Sequence, residues 1–176
     1  MDISQLTIRP AILDDLKQIE EIEEMEYAGD DSFIAEEIHE MLFDTTSNSL
    51  FAYECYVAHY VDKVVGYMMI LKIKQFDYIK NLTRLFVSED YRRHGVGSQL
   101  LSLIEPTKMG DRVLAEVPEE DYALAKFMQQ NGYIVRDVVP AEFDEEGELD
   151  LEGYFVFANE KREPMALSTR NLWRAS

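Results

Sequence analysis

The chain is poor in the residues that build covalent or metal cross-links. Of its 176 residues one is cysteine, Cys55, and three are histidine. A lone cysteine excludes an internal disulfide. So few soft ligands argue against a zinc cluster, and no metal is expected. The same scarcity fits a reducing, cytoplasmic compartment. Cations are short as well, with 17 Lys and Arg against 35 Asp and Glu and a formal net charge of −18. Direct binding of nucleic acid or of an anionic membrane needs a cationic surface, so neither is expected. Long apolar runs are missing too. The longest, from Val64 to Leu71, is interrupted by Gly66 and flanked by lysines, far short of the roughly 18–20 residues a membrane span requires. The N-terminal residues, MDISQ, lack the basic region and apolar run of a signal peptide. A soluble protein is the expectation.

What is present is an ordinary globular complement of 47% hydrophobic residues, enough for one domain with a sizeable core. That domain is expected over residues 1–160. Residues 161–176 have no clear periodicity and read as a disordered tail or an arm packing on a partner subunit. The acidity is uneven. Residues 13–44 hold thirteen acids and one base, Lys17, and residues 142–152 hold seven acids and no base. Together they account for the whole excess. Residues 81–104, with Arg84, Arg92 and Arg93 against Glu89 and Asp90, form a +1 island between them. The simplest reading of such acidic runs is a solvated helix face or loop.

Apolar periodicity predicts the element order β-α-α-β-β-β-α-β-α-β-β. A strand over Gln5–Pro10 precedes a helix with Ile12, Leu16, Ile19 and Ile22 on one face and glutamates on the other. A second helix carries Ile34, Ile38, Met41 and Leu42. Phe51–Tyr60, Val64–Ile73 and Asp77–Val87 read as a three-stranded meander. Gly95 opens a helix that uses Val96, Leu100, Leu103 and Ile104 and halts at Pro106. Arg112–Val117 is a strand, Asp121–Gln130 a helix with Leu124, Phe127 and Met128 inward, and Tyr133–Val139 and Tyr154–Ala158 are strands joined by the acidic loop. The order implies an α/β (α+β) domain: a mixed, mostly antiparallel sheet of six to seven strands with helices on both faces. His39 and His59 lack partners at ligand spacing and read as structural, Cys55 as a buried strand residue, and Trp173 as packing.

The chemistry concentrates between Leu82 and Leu101. A strand ends at Val87, a charged loop follows, and two glycines, Gly95 and Gly97, open a helix. Glycines let a backbone approach a ligand closely, and free N–H groups at a helix start attract phosphate. Arg92, Arg93 and His94 add charge there. A lone Gly-x-Gly also serves as an ordinary tight turn; the preceding strand, the basic run and the amphipathic helix make this one more specific.

This segment resembles the acetyl-CoA-binding signature of the GNAT superfamily of N-acetyltransferases, in which Arg or Gln is followed three positions later by Gly and, two positions after that, by Gly or Ala. Arg92, Gly95 and Gly97 match, with Val87 five positions upstream, and the element order fits that fold from about Leu6 to Ala158. The resemblance implies that the backbone N–H groups of Arg93, His94, Gly95, Val96, Gly97 and Ser98 hold the pyrophosphate of coenzyme A. It also implies that the strand end Leu85-Phe86-Val87 pairs with the pantetheine arm, and that the Val87 N–H faces the thioester carbonyl and stabilises an oxyanion. Leu114-Ala115-Glu116-Val117 resembles the Leu-Glu-Val strand of the ribosomal-protein-alanine acetyltransferase branch, whose glutamate is the general base. Glu116 would then take the proton an amine must lose before attack. A strand carboxylate paired with an arginine is the competing reading.

A further family motif, Asn-x-x-Ala-x-x-Leu-Tyr-x-x-x-Gly-Phe, is matched in part. Aligned on Gly132-Tyr133, Asp121 takes the place of the asparagine beside the cofactor, and Met128 that of the tyrosine which protonates the departing thiolate. A thiol with a pKa of about 8.5 leaves tolerably unaided; Tyr133, Tyr122 and Tyr91 are nearby in sequence, although packing is their commoner role. The expectation is an acetyl-CoA-dependent N-acetyltransferase acting by direct attack of a primary amine. The acceptor would be cationic (a protein N-terminus, a lysine, a basic peptide or a small polyamine-like molecule), steered by the two acidic segments. The alternative is a catalytically impaired acyl-CoA-binding regulatory module of the same fold. Because this fold often dimerises, a homodimer is among the expected partners.

Overall fold

The computed structural model of the protein describes residues 3–26, 33–43, 49–143 and 149–161. The expectations for the tail beyond residue 161, and for acceptor steering by Asp144 and Glu145, fall outside the described residues. Strand β1 (Leu6–Pro10) leads through a single 3-10 turn (Leu13–Asp15) into α1 (Leu16–Glu26), followed by α2 (Ala35–Phe43). Strands β2 (Phe51–Tyr60), β3 (Lys63–Ile73) and β4 (Phe76–Val87) form the meander. Then come α3 (Val96–Ser102), β5 (Arg112–Pro118), α4 (Tyr122–Gln130) and β6 (Ile134–Val139). The chain closes with β7 (Glu142–Phe143), β8 (Leu149–Leu151) and β9 (Tyr154–Glu160).

Seven strands make one sheet in the order β1-β2-β3-β4-β5-β9-β6, antiparallel throughout except for the β4–β5 pair. This is the expected fold class, at its upper strand count. Strand β3 shows how the sequence builds it. Val64, Tyr67 and Met69 join one buried cluster with Leu16, Ile19, Ile22 and Ile38 of the first two helices. Val65, Met68 and Ile70 join the other, with Val96, Leu100 and Leu101 of α3 and Met128 of α4. Val65 is an extra residue against β2, which breaks the alternation once; on either side of it the pleat sends neighbouring side chains to opposite faces, so one apolar strand serves two cores. Each fully buried aliphatic or Met side chain contributes about 1.5–3 kcal/mol. Among the described residues no helix is long and apolar enough to cross a membrane.

Four local expectations are corrected. Ile12 is exposed and caps the 3-10 turn before α1, off the apolar stripe of that helix. Glu23 does not face solvent with the other glutamates. At 0% exposure it lies on the buried face of α1, at helical spacing from Leu16 and Ile19. Helix α3 stops at Ser102, where Leu103 N–H and Ile104 N–H bond the carbonyls of Leu100 and Leu101 three residues back; this tighter turn leaves Leu103 exposed. Finally, the acidic loop between the last two long strands carries the β7–β8 ladder, pairing Glu142 with Leu151 and Phe143 with Leu149.

Candidate active site

Strands β4 and β5 run parallel and then part. They pair from Ile79–Arg112 to Leu82–Ala115 and no further. At that point β4 bulges: Met69 of β3 opposes Arg84 while Ile70 opposes Leu82, so Thr83 is the extra residue. Its hydroxyl donates to the Met69 carbonyl at 3.1 Å, pinning the bulge. A bulge adds local twist, and here it coincides with the separation. Beyond it, Leu85–Val87 stay paired with β3 alone. Ser88 N–H donates to Val65 O on the β3 side at 2.8 Å. Peptide groups alternate in direction along a strand, so Val87 directs its N–H and carbonyl to the vacated edge.

Two turns close the end of β4. Arg93 (φ +66°) and Gly95 (φ +81°) are both left-handed. A non-glycine residue there costs about 1–2 kcal/mol, and such strain gathers at functional turns. A Cβ on Gly95 would meet nothing, so its backbone conformation is what requires glycine. Gly97 answers a different demand: a Cβ there would lie 3.0 Å from the Phe127 ring and 3.6 Å from Val87 Cγ2. Its bareness lets α3 approach both α4 and the strand end. The first helical bond of α3 runs from Gln99 N–H to Gly95 O, leaving the N–H groups of Val96, Gly97 and Ser98 ahead of the ladder. Arg92 is exposed, its Nε donates to the Val87 carbonyl at 2.7 Å, and its guanidinium lies 5.8 Å from the centre of the Phe86 ring. His94 Nδ1 lies 2.8 Å from the Arg92 carbonyl. Arg92 thus ties the loop to the carbonyl of the same residue whose N–H faces the open edge.

Where the strands part there is a cleft of about 600 Å³, lined by Asn81–Arg84 of β4, Leu114, Ala115, Glu116 and Pro118 of β5, and Glu152–Tyr154 with Val156 on the β9 side. Glu116 alternates with buried Ala115 and Val117, so its side chain is exposed. It makes no ion pair or hydrogen bond with a described residue, unlike the arginine-paired strand carboxylate of the competing reading. A smaller cleft of about 360 Å³ adjoins, sharing Pro118, Glu152 and Gly153 and adding Glu119 and Glu120. Of the sequence-predicted residues Glu116 lines the larger cleft, Tyr122 the smaller, and Glu152 of the second acidic segment both; Leu85–Val87 and the Arg92–Ser98 turn line neither and lie along and after β4 beyond the point of parting. Among the described residues no group of three or more His, Cys, Asp or Glu is placed to hold a metal ion.

The cleft also contains a residue that sequence reasoning passed over. Arg84 lines it, with its guanidinium 4.6 Å from the Phe33 ring centre, Nη1 donating to Thr83 O at 3.1 Å, and Nε 3.5 Å from Glu23 Oε1. Buried Glu23 also accepts from the Tyr67 hydroxyl and from Phe33 N–H. The carboxylate thus joins α1, the segment before α2, β3 and β4 beside the cleft. The readable signal was a glutamate at core spacing. A second buried carboxylate, Asp15, accepts from Arg9 at 2.6 and 2.9 Å and from Ile12 N–H at 2.8 Å, with His59 Nε2 3.5 Å away. Burial pushes its carboxyl up, but the Arg9 and Ile12 hydrogen bonds and the Arg9 and His59 charges outweigh this and hold it below the usual carboxylate range.

Helix α4 supplies no obvious proton donor. Met128 is fully buried, Tyr122 is exposed, and Tyr91 packs against Tyr60 with ring centres 5.5 Å apart. The Tyr133 hydroxyl is buried and meets no hydrogen-bond partner among the described residues; burial and then the nearby Glu105 charge push it far above its ordinary range. Asp121 is the N-cap of α4, accepting from Leu124 N–H at 2.9 Å.

Comparison with known proteins agrees with this architecture. Residues 52–135 match the sequence model of the acetyltransferase (GNAT) domain. The fold is similar to the ribosomal-protein alanine N-acetyltransferase of Escherichia coli, at 16% identity and TM-score 0.64 over 96% of this chain and 99% of that one. It is similar to a GNAT-family acetyltransferase of Streptococcus pneumoniae at 20% identity and TM-score 0.66, over 89% and 99% of the chains. It also resembles the dodecameric spermidine N-acetyltransferase of Vibrio cholerae at 13% identity and TM-score 0.66, over 89% and 94%. No curated protein sequence matches the chain. Residues 52–135 thus carry the match to the acetyltransferase (GNAT) domain, and the fold of the chain is similar to that of GNAT acetyltransferases.

Proposed function

We propose that the protein is an acetyl-CoA-dependent N-acetyltransferase that modifies a primary amine on a cationic acceptor by direct attack. The observation that carries this reading is the parting of β4 and β5 beyond Leu82–Ala115, which leaves the Val87 edge of β4 open and an exposed carboxylate on β5, Glu116, that pairs with no described residue. The residues fit the cosubstrate. Backbone N–H groups from Arg93 to Ser98, on a turn that only glycine completes without strain, suit a pyrophosphate. The edge of Leu85–Val87 suits an added extended chain. Bound there, acetyl-CoA supplies the activated acyl group. Glu116 receives a proton from the acceptor's ammonium, the freed amine bonds the thioester carbon, and the C–S bond breaks with coenzyme A leaving as the thiolate; the Val87 N–H, on the residue that Arg92 ties down, donates to the oxygen that gains charge.

The acceptor's charge follows from the cleft walls. Glu116 and Glu152 line the larger space and Glu119, Glu120 and Glu152 the smaller, while the one guanidinium between them, Arg84, is met by Glu23. Two proteins of similar fold are named for amine acceptors, spermidine and a ribosomal-protein alanine, which is consistent with this polarity. A second reading, an acyl-CoA-binding module without turnover, draws on buried Met128 at the position of the usual proton donor.

Thiol release from acetyl-CoA, followed with a thiol-reactive dye across a panel of primary amines and basic peptides, separates the two. The only cysteine does not interfere, because burial, together with the Asp15 and Glu23 charges, pushes the Cys55 thiol up to about 12. Acceptor-dependent release, with the acetylated amine found by mass spectrometry, is the expected result. Tight acetyl-CoA binding without it would establish the module.

A further inference from the structure

Among the described residues Arg84 is the only cationic side chain that lines either cleft. Glu116 and Glu152 make the larger cleft suit a cation, and a guanidinium facing the same space works against that. The compensation lies behind the wall. Arg84 stands opposite Met69 on the β3–β4 ladder, and Met69 belongs to the cluster of the first two helices. Directly opposed residues share a face, so Arg84 points to the side of the sheet that α1 covers. There its Nε lies 3.5 Å from Glu23 Oε1. The Arg84 side chain is 20% exposed and that of Glu23 is 0% exposed. A molecule in the cleft can touch the guanidinium but not the carboxylate.

The surroundings hold the pair in this order. Glu23 Oε2 accepts from Phe33 N–H at 3.2 Å, and Oε1 accepts from the Tyr67 hydroxyl. The Phe33 ring covers the guanidinium, with Cζ 4.6 Å from the ring centre. Nη1 donates to the Thr83 carbonyl at 3.1 Å. Ring, carboxylate and carbonyl come from three parts of the chain, which leaves the guanidinium little freedom to swing into the cleft. Two opposite charges set this close cancel most of each other's field a few ångströms away, whereas one of them alone projects it.

We propose that Glu23 is a positioning residue of the acceptor cleft: from behind the wall it fixes and neutralises Arg84, so that Glu116 and Glu152 set the field inside. The inference rests on the cation-binding half of the proposed function and not on the transfer step.

The test is calorimetric titration of the full chain at low salt, with spermidine as the cationic probe and, separately, with acetyl-CoA. Wild type is expected to bind both. Glu23→Gln keeps the side chain's size and one acceptor oxygen but uncovers the Arg84 charge. Its spermidine affinity should fall about tenfold, and less at high salt, with acetyl-CoA affinity unchanged. Removing both charges in Glu23→Gln/Arg84→Gln should restore spermidine affinity to within about threefold of wild type, a rescue that a merely structural role does not give. Tyr67→Phe removes a hydrogen bond to Glu23 and keeps the charge pair; it should lower the melting temperature without moving either affinity. Should Glu23→Gln fail to fold, Arg84→Gln decides, since loss of the wall cation should leave spermidine affinity at the wild-type level or above it. Absence of spermidine binding in the wild type overturns the proposal, as does a parallel loss of acetyl-CoA affinity in Glu23→Gln, an unrescued double variant, or weaker spermidine binding by Arg84→Gln. The expected binding pattern without thiol release from wild type would uphold the inference and remove the transfer reaction.

Discussion

The carboxylates of the N-terminal helices and those of the cleft wall are the same chemical groups in opposite circumstances. Asp15, Glu20, Glu23 and Glu37 each accept a backbone N–H, from Ile12, Ala35, Phe33 and Ile34 respectively. Two of them, Asp15 and Glu23, are buried and also hold a cationic side chain. Glu116, Glu119, Glu120 and Glu152 hold nothing among the described residues and face open clefts. A carboxylate whose acceptor capacity is spent on the fold contributes stability. One left unspent at a cleft is available to an incoming cation or proton. Part of the acidity between residues 13 and 44, which in the sequence resembles a wall for steering an acceptor, is therefore structural.

Substitutions sharpen this contrast, beginning with the largest effect. Glu116→Gln removes the proposed proton acceptor and should lower kcat/KM by about 10²–10⁴-fold with thermal stability nearly unchanged, read by steady-state kinetics beside a melting curve. Glu23→Ala should do the reverse to stability, costing about 3–5 kcal/mol in a urea titration, because it removes a buried carboxylate that faces Arg84 and accepts from the Tyr67 hydroxyl and Phe33 N–H. Equal stability losses in these two variants would erase the distinction.

Asp15 adds a pH signature. Its carboxyl is held below the unfolded value of about 3.9, so its contribution is fully present above that pH and is lost as pH falls through the folded value. Asp15→Asn should cost about 1–3 kcal/mol at neutral pH. The gap from wild type should narrow in strong acid, measured by urea unfolding at a series of pH values. The smallest expected effect belongs to the far end of the cleft. Neutralising Glu119, Glu120 and Glu152 together to Gln should lower kcat/KM for a dicationic acceptor several-fold at low salt, and the difference should shrink as salt rises.

Much of this was legible in the chain, for identifiable reasons. The near-continuous apolar run from Val64 to Leu71 reads as a strand buried on both faces, and the helical spacing of Leu16, Ile19 and Ile22 as one buried helix face. Gly95 is legible because only a left-handed turn or a close approach needs glycine before a helix. Other features were hidden. The Thr83 bulge and the parting at Leu82–Ala115 depend on what three strands do together, and no local pattern records that. Glu23 was assigned to solvent by its type although its spacing placed it inside. Hidden too was the bond from Arg92 Nε to the Val87 carbonyl, a contact set by how the loop folds back on its own strand.

In the proposed reaction the open edge of β4 holds the acyl donor and Glu116 of β5 accepts the acceptor's proton. Calorimetric titration of acetyl-CoA and acceptor-dependent thiol release, measured on the same preparations of wild type and Glu116→Gln, test it most directly. Unchanged acetyl-CoA affinity with release lowered about 100-fold or more is the predicted result. Equal release from both proteins, or loss of acetyl-CoA binding in the variant, would contradict it.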